Sequence, residues 1–128
     1  MTRPTTGPWT VAVATDVLCG WSTIALHRFY QQRARHGLDD QVRVRHVLYA
    51  LEDLNSAAIP KRFIDPEIPI VGALAPELEF KPWQRDPSEW PVSSLLANEA
   101  VHAAATQSAA AAEELDMALR LGFWRDSR

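Results

Sequence analysis

Polar and apolar positions alternate at the start of the chain. In Trp9-Thr10-Val11-Ala12-Val13-Ala14-Thr15 the larger apolar residues Trp9, Val11 and Val13 fall two apart, which predicts a strand over 9–15. Asp16-Val17-Leu18-Cys19-Gly20 reads as the turn that leaves it. From about Ser22 to Arg35 the period becomes helical, with Leu26, Phe29, Tyr30 and Ala34 on one face. Gly37 stands just past the end, where a residue without Cβ closes a helix most easily. Alternation returns in Val42-Arg43-Val44-Arg45-His46-Val47-Leu48-Tyr49 and predicts a second strand. Two strands joined by a helix of this length form a βαβ unit, which implies a parallel pair.

Periodicity then lapses. Residues 51–91 hold seven of the nine prolines and predict an ordered irregular segment with a few short helical turns. So long a stretch in a compact domain is expected to wrap a surface or cover a site. Helical patterning resumes from Val92 or Ser93 to Thr106, and again from Ser108 to Phe123 with Leu115, Ala118 and Leu119 on one face. Ser108 suits the N-cap of the second helix. Ten of the nineteen alanines lie between Ala97 and Ala118, so these helices should approach each other closely. The expected organisation is a disordered tail over 1–8, a βαβ segment over 9–50, the proline-rich segment over 51–91 and a helical segment over 92–128.

Charge and composition narrow the function. Thirteen basic and sixteen acidic residues give a net charge of -3 with no block of one sign, so no nucleic-acid partner is expected. No apolar stretch is long enough to span a bilayer, so no membrane partner is expected either. The first eight residues carry no apolar signal core, and the expected location is the cytoplasm. A single cysteine excludes an intramolecular disulfide and a multi-cysteine zinc site.

That cysteine is the residue whose position speaks. Cys19-Gly20-Trp21-Ser22 sits between a strand and a helix, where free N–H groups and the positive end of the helix dipole favour a thiolate. The plain alternative is a small buried apolar residue, the usual fate of a lone cysteine. His27, His36, His46 and His102 share no helical face and have no metal-ligand spacing, so no metal site is expected. Ser93 and Ser94 read as helix-start residues rather than nucleophiles. Glu113, Glu114 and Asp116 read as a solvated face. Trp21 would either lie beside the thiol and touch substrate or seal the core, and Trp83 and Trp90 would either cover the Cys19 face or anchor their loop.

Thr15-Asp16-Val17-Leu18-Cys19-Gly20-Trp21-Ser22 resembles the active-site start of the DsbA family, in its FrnE-like branch. There an aspartate, two residues and Cys-Pro-Trp-Cys stand at the same junction. The strand Val44-Arg45-His46-Val47-Leu48-Tyr49-Ala50-Leu51-Glu52 is similar to the family's arginine-bearing strand. Trp90-Pro91-Val92-Ser93-Ser94 and Glu99-Ala100-Val101-His102-Ala103-Ala104 are similar to its inserted helical domain. The resemblance implies an α/β fold: a partial thioredoxin-like βαβ unit with an inserted or appended α-helical domain. It implies thiol–disulfide exchange with Cys19 as nucleophile, Ser22 beside it, and Trp21 and Gly20 in contact with substrate.

Ser22 departs from the family, because a serine hydroxyl cannot resolve a mixed disulfide as a second cysteine does. The implied chemistry is therefore monothiol. Cys19 would attack a disulfide, an external thiol such as glutathione would release it, and the Ser22 hydroxyl would hydrogen-bond the thiolate. Gly20 replaces the family's proline. The family also returns after the helical insertion to further strands and a cis-proline. The sequence ends at Phe123-Trp124-Arg125-Asp126-Ser127-Arg128, so a truncated relative is expected, one that self-associates through an open sheet edge. Two other readings stand beside this one: a catalytically inactive binding or scaffold protein, and a relative of glutathione-dependent isomerases or transferases.

Overall fold

In the computed structural model, which describes residues 8–128, strand β1 (Trp9–Thr15) runs parallel to β2 (Val42–Leu48), with helix α1 (Gly20–Arg35) between them in sequence. The register pairs Val11 with Val44 and Thr15 with Leu48. The expected βαβ unit is present, in a sheet of two strands among the described residues. The tail expected over 1–8 lies outside the described residues, save Pro8. Gly37 adopts φ +63°, the left-handed conformation that ends α1 at little steric cost.

The proline-rich segment contains α2 (Leu51–Asn55), α3 (Lys61–Ile64), α4 (Ile68–Leu74) and two single 3-10 turns at Pro76–Leu78 and Pro87–Glu89. Helices α5 (Leu95–Ala104) and α6 (Ala109–Trp124) follow, and Ser108 caps α6 by accepting from Ala111 N–H at 3.0 Å. The fold is thus mixed α/β, with six α-helices among the described residues. Helix α5 begins later than the sequence pattern suggests, since Ser94 (φ -93°, ψ 0°) still precedes helical geometry.

Most apolar burial among the described residues falls in three clusters. Ile24 packs with Val71, Ala75 and Leu78, joining α1 to α4 and the turn behind it. Val17 packs with Val101 and Ala112, where alanine lets α5 and α6 close on the end of β1. Phe123 and Trp124 pack with Ile68. Trp83 and Trp90 lie at 5.5 and 5.3 Å from the Phe123 ring, so both anchor their loop rather than cover Cys19. Two expected core positions, Ala34 and Ala118, are exposed.

The acidic trio of α6 corrects the sequence reading. Only Glu114 is solvated; Glu113 and Asp116 are buried. Glu113 meets the Arg33 guanidinium with two bonds of 2.8 and 2.9 Å and accepts from Arg43 at 3.2 Å. Its Oε1 also accepts Val44 N–H at 2.8 Å, while Arg33 donates to the Val42 carbonyl at 3.1 Å. The pair therefore satisfies backbone groups on the side of β2 turned away from β1. Asp116 is held by Arg120 at 2.8 Å and lies 3.3 Å from His46 Nε2. Buried carboxylates survive because each is paired and hydrogen-bonded.

The outer side of β1 is different. Trp9 and Val11 are exposed, so the expected apolar face of this strand is uncovered over its first half. Among the described residues, β1 pairs with β2 alone.

Candidate functional site

Cys19 is the N-cap of α1. Its backbone is extended (φ -94°, ψ 107°), and its Sγ accepts the Ser22 N–H at 3.4 Å. A sulfur in this position takes the place of the usual capping oxygen and meets the positive end of a sixteen-residue helix. The side chain is partly exposed, as a reacting thiol requires.

The loop that carries Cys19 is held from three directions. Cys19 N–H donates to the Asp16 carbonyl at 3.0 Å, closing the turn. The buried Asp16 carboxylate accepts from Leu18 N–H at 2.9 Å and Leu51 N–H at 3.4 Å, tying the loop to α2. Asn98 of α5 accepts Val17 N–H at 3.1 Å and donates to Asp16 at 3.4 Å and to Ser94 Oγ at 3.0 Å. Ser94 is thus a buried structural acceptor and not a nucleophile.

Arg120 of α6 supplies the third hold, and it is fully buried. Its Nη1 donates to the Asp16 carbonyl at 2.9 Å, Ser22 Oγ at 2.8 Å and Thr23 Oγ1 at 3.1 Å; Nη2 donates to Thr15 Oγ1 at 2.7 Å. The rigid guanidinium fork joins the end of β1 to the start of α1. Ser22 is therefore oriented otherwise than expected. Its hydroxyl accepts from Arg120 and points its proton at the Asp16 and Cys19 carbonyls, 3.2 and 3.1 Å away. Among the described residues, only the Ser22 backbone N–H serves the sulfur.

Gly20 is buried in a close approach. A Cβ there would stand 3.3 Å from Val71 Cγ1 and 3.6 Å from the Trp124 ring. A proline would add two more ring atoms to that crevice. Trp21 is half exposed, with its indole N–H donating to Glu67 at 3.3 Å, so it sits at the surface rather than sealing the core.

Cys19, Gly20, Trp21 and Ser22 all line one cavity of about 410 Å³. Its far wall is Tyr49, Phe63, Ile64, Val71, Phe80 and Trp124, with Phe80 stacked on Trp124 at 5.5 Å. The proline-rich segment contributes much of this wall. Glu52 of α2 also lines the cavity at 6% exposure, and its Oε2 has no hydrogen-bond partner. Trp124 Nε1 is buried and unpartnered as well. Burial pushes the Glu52 carboxyl above the ordinary carboxylate range; its own backbone N–H opposes this, and the charges of Asp16 and Asp53 add to it.

The residues singled out around the thiol thus come together, while the histidines do not join them. His27 pairs with Glu77 at 2.8 Å, His102 is exposed, and His46 faces Asp116. Among the described residues no cluster of His, Cys, Asp or Glu is arranged to hold a metal, and no helix is long and apolar enough to cross a membrane. Glu52, Asn98 and Arg120 escape the sequence reading, because nothing local marks a charged or amide residue for burial. No protein-family model, curated protein or solved structure matches this chain.

Proposed function

We propose that this protein performs thiol–disulfide exchange through the single thiol Cys19, on a partial thioredoxin-like unit of the DsbA kind. The observation that carries the reading is Cys19 as the N-cap of α1, accepting Ser22 N–H and opening on an apolar cavity. The Cys19 thiolate attacks one sulfur of a disulfide, forming a mixed disulfide and expelling the other sulfur as a thiolate. A low-mass thiol, glutathione or another, then attacks that mixed disulfide as its thiolate. It takes the substrate sulfur and returns Cys19 with the electron pair of the broken bond. Ser22 holds the loop to α6 through Arg120 and takes no proton in either step. A single thiol working with an external reductant suits a reducing compartment such as the cytoplasm. The uncovered edge of β1 supports self-association with a second copy.

The test is exchange of a mixed-disulfide peptide in the presence of a low-mass thiol, with the covalent intermediate followed by mass spectrometry. Wild type should form an adduct at Cys19 and turn over, and Cys19→Ser should do neither. Alkylation of Cys19 no faster than that of a free cysteine at pH 7, with no adduct, would leave the scaffold reading in its place.

A further inference from the structure

We infer that the cavity beside Cys19 is a binding site for a small apolar ligand bearing an amine, with the amine on Glu52 and its apolar body against Phe63, Phe80 and Trp124. The site goes beyond the thiol chemistry and does not depend on it. A buried polar atom without a partner is costly, so native structures seldom keep one without use. Two residues of this wall, which also line a smaller neighbouring pocket, keep one each: Glu52 Oε2, which accepts or, when protonated, donates, and Trp124 Nε1, which only donates. Both belong to residues more than nine-tenths buried. The remaining wall is aromatic and aliphatic, and the volume falls in the range of small-molecule sites.

The sign of the charge selects the ligand. The described residues that line the cavity include three carboxylates, Asp16, Glu52 and Glu67, and no lysine, arginine or histidine. Asp16 is already met by backbone and amide N–H groups, and Glu67 by the Trp21 indole. Arg120 lies behind Ser22, fully buried and paired with Asp116, so it offers no free donor to a ligand. Of the three carboxylates, Glu52 alone is left to meet a ligand. An ammonium supplies the hydrogen bond it lacks and offsets the acidic wall, whereas a ligand carboxylate would face like charge with no cation to receive it. The aromatic faces attract the same cation.

The test is titration of the full chain with 2-phenylethylamine and with 3-phenylpropionate, matched in size and opposite in charge, by calorimetry and tryptophan fluorescence. The amine should bind more tightly by about tenfold, the effect of one charge-assisted hydrogen bond. Glu52→Gln should abolish that preference. Phe63→Lys changes a surface-exposed wall residue and should weaken the amine without unfolding the chain, which keeps the test open if Glu52→Gln folds poorly. Cys19→Ser should bind the amine like wild type, so a failure of the exchange chemistry leaves this result intact. Equal or tighter binding of the carboxylate, no binding of either probe, or amine binding unmoved by Glu52→Gln and Phe63→Lys would overturn the assignment.

Discussion

Arg120 donates to the Ser22 hydroxyl at 2.8 Å across ninety-eight positions of sequence. Through that bond and its companions to Thr15, Thr23 and the Asp16 carbonyl, the last long helix fixes the geometry of the loop that presents the thiol. Arg120→Met would leave Asp116 buried with its main cationic partner gone and strip four acceptors of their donor. The expected loss is about 3–5 kcal/mol, the usual effect of breaking a buried pair from one side, read as a lower urea midpoint with unchanged slope.

Ser22→Cys is not a simple gain of a resolving thiol. Sulfur is a poorer acceptor for Arg120 and a poorer donor to the loop carbonyls, so stability should fall by about 1 kcal/mol. If the loop holds, the variant should oxidise a reduced test protein without glutathione, which wild type, with one thiol, should not do. Refolding yield against thiol titration checks both.

Acid should unfold the protein through α6. Burial raises the Glu113 carboxyl, but hydrogen bonds from Arg33 and Val44 and the charges of Arg33 and Arg43 outweigh it, and its proton affinity ends lower than usual. Asp116 follows the same pattern, with burial opposed by His46 and Arg120. A carboxyl that titrates lower when folded confers stability that is complete above its ordinary value, 4.5 for Glu113 and 3.8 for Asp116, and is lost as pH falls through the folded one. Thermal unfolding from pH 7 to pH 2 should therefore show a steep loss below about pH 4.5, and Glu113→Gln should flatten it.

Glu52 has the opposite sign. Its carboxyl titrates higher in the folded chain, so its ionisation opposes folding as pH rises. Glu52→Gln is expected to be as stable as wild type or more so at pH 7, with the difference fading in acid. That pattern, stability gained where a ligand contact is lost, is the signature of a residue kept for binding. Calorimetric melting of both chains at two pH values measures it.

The acidic cavity also ranks the partners of Cys19. Cystamine, a disulfide with an ammonium on each arm, should react faster than glutathione disulfide, whose arms each carry two carboxylates and one ammonium and so a net negative charge. A ratio of about tenfold corresponds to one favourable ionic contact. Addition of 2-phenylethylamine should erase it by competition, and stopped-flow thiol consumption gives all three rates.

The uncovered apolar run on β1 predicts self-association that strengthens with concentration. Val11→Lys places a charge on that strand and should shift the chain towards monomer, as read by size-exclusion chromatography over a hundredfold dilution of about 100 µM protein.

The βαβ unit is legible in the sequence because its signals are local. Alternation marks Trp9–Thr15, a helical period follows, and Gly37 closes α1 with the positive φ that it tolerates. Cys19 is legible for the same reason: strand, turn and helix start lie within a dozen residues. Glu113 and Asp116 read wrongly because charge normally marks a solvated face, and what overrides it is a set of partners far away in sequence, Arg33 and Arg43 for one, His46 for the other. Glu52 is invisible in the same way. Its burial comes from the irregular segment folding back over the thiol, and no periodicity announces where such a segment will land.

The Arg33–Glu113 pair, by meeting Val42 and Val44 on the side of β2 away from β1, would also set the stoichiometry of any self-association through β1. Among the described residues β2 is met on its outer margin and β1 is not, so two copies joining through β1 about a two-fold axis would bury both bare margins at once. Growth would stop there, at a four-stranded sheet shared by two chains. A substitution that releases Glu113 from β2 would unseal the other margin, and a closed pair would become a repeating unit able to extend into fibrils.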